Sequence, residues 1–276
     1  MSERFSISRP GTNLVGERWA GRGPTVVLLH AGVADRRSWA TVADELVVHA
    51  TVVTYDRRGF GETSLGTESY SHLRDLLGVL DHFQLDQVWL VGSSAGGRVA
   101  LDAAVSVPER VAGLVLFAPA VSGAPEPDPE LLGPELRWFD GEIDKQIEAA
   151  NLDEVNRLET WLWLDGPTSR EGRVSGPARE LALDMNRVAL ANDAGETDDE
   201  SMNAWGHLED TAAPTTVACG SLDVAFLIER CEVIAQRVPR ARYRCLEGMA
   251  HLPYLEDPSA VASVILEALQ ASSRGH

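Results

Sequence analysis

The sequence of 276 residues has little positive charge, few cysteines and no long apolar run. Only 24 basic residues stand against 42 acidic ones, which gives a net charge of −18. Nucleic acids and anionic lipid surfaces are bound through clustered lysine and arginine, so this charge argues against both as partners. No stretch of about 18 apolar residues is present, and no membrane-spanning helix is therefore predicted.

The three cysteines, Cys219, Cys231 and Cys245, are too few for a disulfide scaffold, and their spacing matches no zinc motif. We therefore expect reduced thiols, most of them buried, and no bound metal. The polar first residues lack the apolar core of a signal peptide, and we expect a cytoplasmic protein. The sequence does not indicate an oligomeric state.

The acidic residues are concentrated in one part of the chain. Residues 121–210 contain 22 acidic and seven basic residues, a net charge of −15, whereas the rest of the chain has a net charge of −3. This segment opens with a proline-rich stretch, carries helical patterns and has no strand signal. We therefore predict a helical cap segment at 121–210, inserted into a core formed by residues 1–120 and 211–276. The helical patterns cover about 135–150, 152–163 and 177–192.

Elsewhere, short apolar runs alternate with helical patterns, which predicts an α/β fold with a mostly parallel sheet and helices on both faces. Continuous apolar runs, typical of strands buried on both faces, lie at 25–30, 51–56, 88–92, 111–117 and 216–220. Residues 241–246 predict a strand nearer the edge, and the first twenty residues can add one or two antiparallel edge strands. Helices are predicted at 70–84, 95–106 and 258–270, the last with Asp257 as its N-cap.

The run Val91–Gly97 carries the strongest local signal, a G-x-S-x-G pattern between a predicted strand and a predicted helix. This pattern is typical of a nucleophile elbow, whose tight turn needs small residues two positions before and after the serine. Gly92 and Gly96 meet this need around Ser94, whereas Ser93 has a valine two residues before it. A glycine-rich turn with a merely polar serine is the alternative. The run lacks the G-x-G-x-x-G pattern of dinucleotide-binding loops.

A serine nucleophile needs a base, and the base needs an acid that orients it. In this kind of fold the order along the chain is serine, acid, histidine, each on a loop after a strand. Asp223 follows the strand at 216–220, and His251 follows the strand at 241–246. Alternatively, Asp223 caps the next helix and His251 is an ordinary loop histidine. The three residues in this order predict a catalytic triad of Ser94, Asp223 and His251.

An oxyanion hole completes the predicted site. The backbone N–H after the nucleophile, here that of Ala95, is one donor, and the loop after the third strand supplies the other. We choose Gly32 in that loop, with Val33 as the alternative.

Two further polar residues are predicted to hold loops in place. His30 is expected to order the loop after its strand by hydrogen bonding to backbone. Asp56 is expected to fix its turn through Arg57 or Arg58.

With these motifs, the sequence resembles the α/β-hydrolase fold family, in its serine-nucleophile branch with a helical cap. The family implies an eight-stranded sheet with a cap inserted after the sixth strand, where residues 121–210 fall. Ala31 departs from the glycine that the family usually has after the loop histidine, and this leaves the choice of the second oxyanion donor open. The matching motifs are Leu28–Gly32, Tyr55–Gly61, Val91–Gly97, Cys219–Asp223 and Gly248–Pro258.

The resemblance implies a hydrolase that cleaves a carboxylic ester or lactone of a small neutral molecule through an acyl-enzyme, without a cofactor. Ser94 argues against the relatives that open epoxides or remove halogens, because those use an aspartate nucleophile. Relatives that cleave carbon–carbon bonds commonly have tryptophan after the histidine, where this chain has Leu252. Carbon–carbon hydrolysis, cofactor-free haloperoxidase or perhydrolase activity and, less favoured, non-catalytic ligand binding stay open.

The cap segment is expected to shape the substrate pocket. Its acidity favours a neutral or cationic substrate, unless the charges lie on a solvated outer surface. Its large apolar side chains either line the pocket or pack the segment onto the core, and none is assigned to binding: Trp138, Phe139, Trp161, Trp163 and Met185.

Overall fold

In the computed structural model, which describes residues 1–66, 68–192 and 202–273, eight strands form one sheet. Their order across the sheet is β1-β2-β4-β3-β5-β6-β7-β8, with β1, β2 and β4 paired antiparallel and all other neighbours parallel. The predicted mostly parallel eight-stranded sheet is thus confirmed, with β8 at one edge. The strands are β1 (Glu3–Arg9), β2 (Thr12–Trp19), β3 (Thr25–Leu29), β4 (Thr51–Tyr55), β5 (Val88–Ser93), β6 (Val111–Phe117), β7 (Thr215–Gly220) and β8 (Ala241–Leu246).

Helices cover both faces of the sheet, so the central strands are buried on both sides. Helices α1 and α9 pack on one face, and α2, α3 and α7 on the other. Asp257 caps α9 by accepting the N–H of Ala260 at 2.9 Å, as predicted. No helix in the described ranges is both long and apolar enough to cross a membrane. The helices are α1 (Ala40–Leu46), α2 (His72–His82), α3 (Ala95–Ser106), α4 (Gly133–Glu148), α5 (Leu152–Thr160), α6 (Pro177–Asn192), α7 (Ala225–Arg237), α8 (Pro253–Glu256) and α9 (Pro258–Ser273).

The cap segment lies between β6 and β7 in the chain, and residues 193–201 of it are outside the described part. Its described residues form α4, α5, a π-helical turn (Trp161–Asp165) and α6, with no strand among them. Phe139 of α4 and Leu158 of α5 share a buried apolar cluster with Leu227 of α7. The segment is thus anchored to the sheet-covering layer, while its division from the core as a separate domain stays a prediction.

The strand order places two of the predicted site loops side by side. β3 and β5 are parallel neighbours, with Leu29 paired to Gly92, and the chain continues from this pair toward opposite edges of the sheet. In open α/β sheets, ligands bind beyond the carboxyl ends of the strands at such a reversal. The loop containing Gly32 and the turn containing Ser94 both leave the sheet at this point.

The predicted partner of Asp56 is wrong. The buried Asp56 carboxylate accepts the backbone N–H of Arg36 at 2.9 Å and forms an ion pair with its guanidinium group. Arg58 instead pairs with the buried carboxylate of Asp75 at 2.7 Å, and Arg57 donates to backbone carbonyls of the loop after β3. Arg57 and Arg58 directly follow Asp56 in the sequence, yet Asp56 pairs with Arg36, which lies 20 residues earlier, so the fold and not proximity along the chain decides the pairing.

Candidate active site

Ser94 lies between β5 and α3 in a backbone conformation that non-glycine residues rarely adopt. Its φ is +50° and its ψ is −116°. Such a conformation costs about 1–3 kcal/mol and persists only where the surroundings impose it. Here the Ser94 N–H donates to the carbonyl of Phe117 at 3.0 Å, and the Ser94 carbonyl accepts from Ala120 at 2.9 Å. The end of β6 therefore holds the turn, and the half-buried serine lies at the start of α3.

The two glycines of the motif have no room for a side chain. A Cβ atom on Gly92 would lie 2.5 Å from the carbonyl oxygen of Gly96. A Cβ atom on Gly96 would lie 2.3 Å from the carbonyl oxygen of Leu29. The predicted need for small residues on both sides of Ser94 is therefore confirmed.

Asp223 and His251 are in direct contact at the carboxyl ends of β7 and β8. His251 Nδ1 lies 2.8 Å from Asp223 Oδ2, and both side chains are buried. Asp223 Oδ1 also accepts the N–H of Val224 at 2.8 Å, next to the start of α7. One oxygen of the carboxylate therefore contacts the histidine, and the other contacts the backbone before α7. Because an ionised carboxylate only accepts, Nδ1 carries the proton in this pair and Nε2 is the basic nitrogen.

The structure brings the acid and the histidine together, whereas Ser94 emerges from β5, two strands away from β7. Among the described residues, the Ser94 hydroxyl has no hydrogen bond to His251. Hydrogen bonds of this kind are often long in substrate-free enzymes and tighten in the complex.

The two predicted oxyanion donors lie close together. Ala95 is the first residue of α3, and the first N–H groups of a helix have no acceptor within it. A Cβ atom on Gly32 would lie 3.8 Å from the Cβ of Ala95, so the loop after β3 lies close to the start of the helix. Val33 lines the same cavity as Gly32, and both stay candidates for the second donor.

His30 orders the loop after β3, as predicted. The ring is fully buried, its Nε2 accepts the N–H of Arg57 at 3.0 Å, and its Nδ1 donates to the carbonyl of Ala31 at 2.8 Å. Burial and, secondly, the positive charge of Arg57 lower the pKa of His30 well below its usual value. The neutral ring therefore ties the loop of Gly32 to the turn after β4.

We expect this histidine to weaken the fold at acid pH. The unfolded chain protonates His30 near pH 6.5 while the folded chain resists, so stability falls as the pH drops below that value, by about 1.4 kcal/mol per pH unit for this group. Urea unfolding of wild type and His30→Gln between pH 7.5 and 5 measures the effect, since glutamine cannot take up the proton. The exposed His49→Gln is the matched control. An equal pH dependence in wild type and His30→Gln would contradict the assignment.

The cap segment contacts the histidine loop through residues that the sequence analysis did not assign. The carbonyl of Trp163 accepts the backbone N–H of His251 at 3.2 Å, and the two rings lie 4.7 Å apart. Arg173 donates to the carbonyl of Gly248 at 3.0 Å and pairs with Glu256 at 2.6 Å, thereby holding the chain on both sides of His251. A single arginine and a backbone carbonyl carry no motif, so no sequence signal could have found them.

A cavity of about 470 Å³ opens beside the predicted oxyanion loop. Of the large cap side chains considered from the sequence, Phe139 and Met185 are buried in apolar clusters, and Trp138 and Trp161 pack edge to face. The cavity is lined instead by Gly32, Val33, Phe60, Ile147, Leu152, Glu159, Asn186, Ala189 and Leu190.

The fold is an α/β fold, and the candidate residues lie in loops at the carboxyl edge of its sheet. The family model of the alpha/beta hydrolase fold matches residues 24–258, and the chain belongs to this family. It is therefore a hydrolase of that fold. Within the described ranges, no group of three or more potential metal ligands is present.

Known relatives cover several reactions. The pimeloyl-[acyl-carrier protein] methyl ester esterase of Yersinia enterocolitica is 25% identical over 250 residues, which cover 90% of this chain and 94% of the esterase. The 2-hydroxy-6-oxo-2,4-heptadienoate hydrolase of Pseudomonas putida is 42% identical over 106 residues, 35% of this chain and 38% of that enzyme.

Among solved structures, the enol-lactonase of Burkholderia xenovorans LB400 superposes with a TM-score of 0.75 at 18% identity, covering 97% of this chain and all of the lactonase. At this identity the likeness concerns the fold alone. The relatives thus share the fold but differ in reaction and substrate, because a putative 2-succinyl-6-hydroxy-2,4-cyclohexadiene-1-carboxylate synthase of Bacillus subtilis is also 28% identical over 279 residues, which cover 96% of this chain and 94% of the synthase.

Proposed function

We propose that this protein is a serine hydrolase that cleaves a carboxylic ester or lactone of a small molecule through an acyl-enzyme. The observation that carries the proposal is the buried pair of His251 and Asp223, joined at 2.8 Å, at the same edge of the sheet as the strained Ser94 turn. Strain at a nucleophile elbow and a histidine oriented by an acid are the two features that activate a serine.

In the proposed reaction, the Ser94 oxygen attacks the substrate carbonyl while His251 Nε2 takes the hydroxyl proton. Asp223 holds the Nδ1–H of the ring and stabilises the imidazolium that forms. The tetrahedral intermediate collapses to the acyl-enzyme as His251 returns the proton to the departing alcohol. Water then attacks the acyl group by the same route in reverse and releases the acid and free Ser94.

The N–H groups of Ala95 and of Gly32 or Val33 would stabilise the negative oxygen of the intermediate. The proximity of Gly32 to the start of α3 supports this role, since two donors must converge on one oxygen. Loss of one such donor costs about 3–4 kcal/mol of transition-state stabilisation in a serine protease.

Labelling with a fluorophosphonate probe tests the proposal. We expect intact-mass and peptide analysis to show one adduct on Ser94, and Ser94→Ala to abolish it. The neighbouring Ser93→Ala is the matched control and should still be labelled, because Ser93 is fully buried in β5. Full labelling of Ser94→Ala would overturn the assignment of the nucleophile.

Carbon–carbon bond hydrolysis is the second candidate, supported by the local identity to the Pseudomonas putida hydrolase. Leu252 after the histidine speaks against it, because tryptophan is common there in such enzymes. A panel that pairs esters and lactones with 2-hydroxy-6-oxo-dienoates decides between the two. Faster turnover of the dienoates would replace ester hydrolysis as the function.

A further inference from the structure

One carboxylate lies in the wall of the cavity beside the oxyanion loop. Glu159, near the end of α5, lines the cavity together with Gly32 and Val33 of the loop after β3. The other contributors are mostly apolar, among them Phe60 and Leu190. A substrate with its carbonyl at Ser94 and its chain in this cavity would meet a mostly apolar wall that carries one acidic side chain.

The Glu159 side chain is held by amide groups from the cap helices. Asn186 of α6 donates through its Nδ2 to Glu159 Oε2 at 2.7 Å and to Asn156 Oδ1 at 3.1 Å. Asn156 in turn donates to the carbonyl of Leu183 at 2.9 Å. Both asparagines are buried, so this chain of hydrogen bonds fixes the orientation of the carboxylate.

No positive charge neutralises Glu159 within the described part of the chain. Its hydrogen bond from Asn186 is neutral, and the nearby Arg157 of the same helix pairs instead with Glu154 at 2.6 Å and with Glu171 at 2.5 Å. Burial raises the pKa of Glu159, and the bond from Asn186 opposes that rise. A hydrogen-bond donor on a ligand stabilises a partly buried carboxylate that has no counter-ion, and this favours binding of the ligand.

We propose that Glu159 is a specificity-determining residue that binds a hydrogen-bond donor, above all a protonated amine, on the far end of an otherwise apolar substrate. The same carboxylate repels substrates with a carboxylate at that end. This inference rests on the proposed function, because it assumes that the cavity holds the substrate of Ser94. The proposal also identifies Glu159 as one acidic residue of the cap segment that would face the ligand.

The test compares p-nitrophenyl esters of one acyl length that end in methyl, ammonium or carboxylate. We expect wild type to prefer the ammonium ester over the carboxylate ester by about tenfold in kcat/KM, as for a hydrogen bond to a charged group. In the isosteric Glu159→Gln the ratio of kcat/KM between the ammonium and carboxylate esters should fall to about twofold or less, and the methyl ester shows how much activity each variant retains on a neutral substrate. Glu154→Gln, which removes the same charge from the same helix outside the cavity, should retain the wild-type preference.

Binding to the Ser94→Ala variant separates this proposal from the proposed function. The probes are matched amides, 6-aminohexanamide and adipamate, titrated by NMR into Ser94→Ala with and without Glu159→Gln, so no turnover is needed. Tighter binding of the amine that disappears with Glu159→Gln supports the role of Glu159 even if no ester is hydrolysed. Equal binding of both amides, or an equal loss of preference in Glu154→Gln, would overturn it.

Discussion

Ser94→Ala is expected to lower kcat toward an activated ester by about 10⁶-fold, because it removes the atom that forms the acyl bond. The fold should tolerate the change. Alanine occupies the same positive-φ conformation as serine, and the hydrogen bonds that hold the turn use only the backbone of residue 94. We therefore expect a KM and an unfolding midpoint close to wild type, so that the loss is confined to kcat.

His251→Ala should lower kcat by about as much as Ser94→Ala does. The double variant Ser94→Ala/His251→Ala should have a kcat no lower than that of either single variant. This non-additivity follows because a serine without its base and a base without its serine leave the same residual catalysis, that of the oxyanion hole and binding. Steady-state kinetics on the three variants, purified away from any wild-type enzyme, measure it. Additive losses, or a His251→Ala variant within about tenfold of wild type, would mean that the two residues do not act together.

The sheet could be predicted because its strands carry their own signal. Continuous apolar runs such as 25–30 and 111–117 give the central strands to within one residue, since burial on both faces leaves no room for polar positions. Helices α1 and α7 were not predicted. α1 has only seven residues, too few for a long apolar stripe. α7 buries Leu227, Cys231 and Ile234 at four- and three-residue spacing, so a helical pattern was present there to be recognised.

The candidate site likewise contains residues that the sequence predicts and residues that only the fold reveals. Ser94, Asp223 and His251 could be selected because each lies in a local motif directly after a strand, and parallel strands bring their carboxyl ends to one edge. Glu159 could not be selected, because the cap segment contains 22 acidic residues and only the fold shows which of them lines the cavity. The contact of Trp163 with His251 uses a backbone carbonyl, which every residue has.

Asp223→Asn is the second large effect that we expect, a loss of about 10⁴-fold in kcat, as in other triads in which this change leaves the geometry intact. The hydrogen bonds around this carboxylate explain why the variant should lose activity. The N–H of Val224 donates to Oδ1 at 2.8 Å, so the amide oxygen of asparagine should stay there and turn its NH₂ group toward His251. His251 Nδ1 must then accept, and its proton moves to Nε2, where it cannot take the proton of Ser94.

The tautomer of His251 can be measured without an activity assay, which gives this prediction a second, independent test. Nitrogen-15 NMR of the histidine side chains should show His251 protonated at Nδ1 in wild type and at Nε2 in Asp223→Asn. The control is Asp257→Asn, which removes a negative charge from the same loop region but keeps a side-chain oxygen for the cap of α9, and it should retain nearly full activity. If Asp223→Asn keeps the wild-type tautomer, or loses no more activity than Asp257→Asn, then Asp223 does not orient the base. The contact of 2.8 Å between Asp223 and His251 would then be structural only.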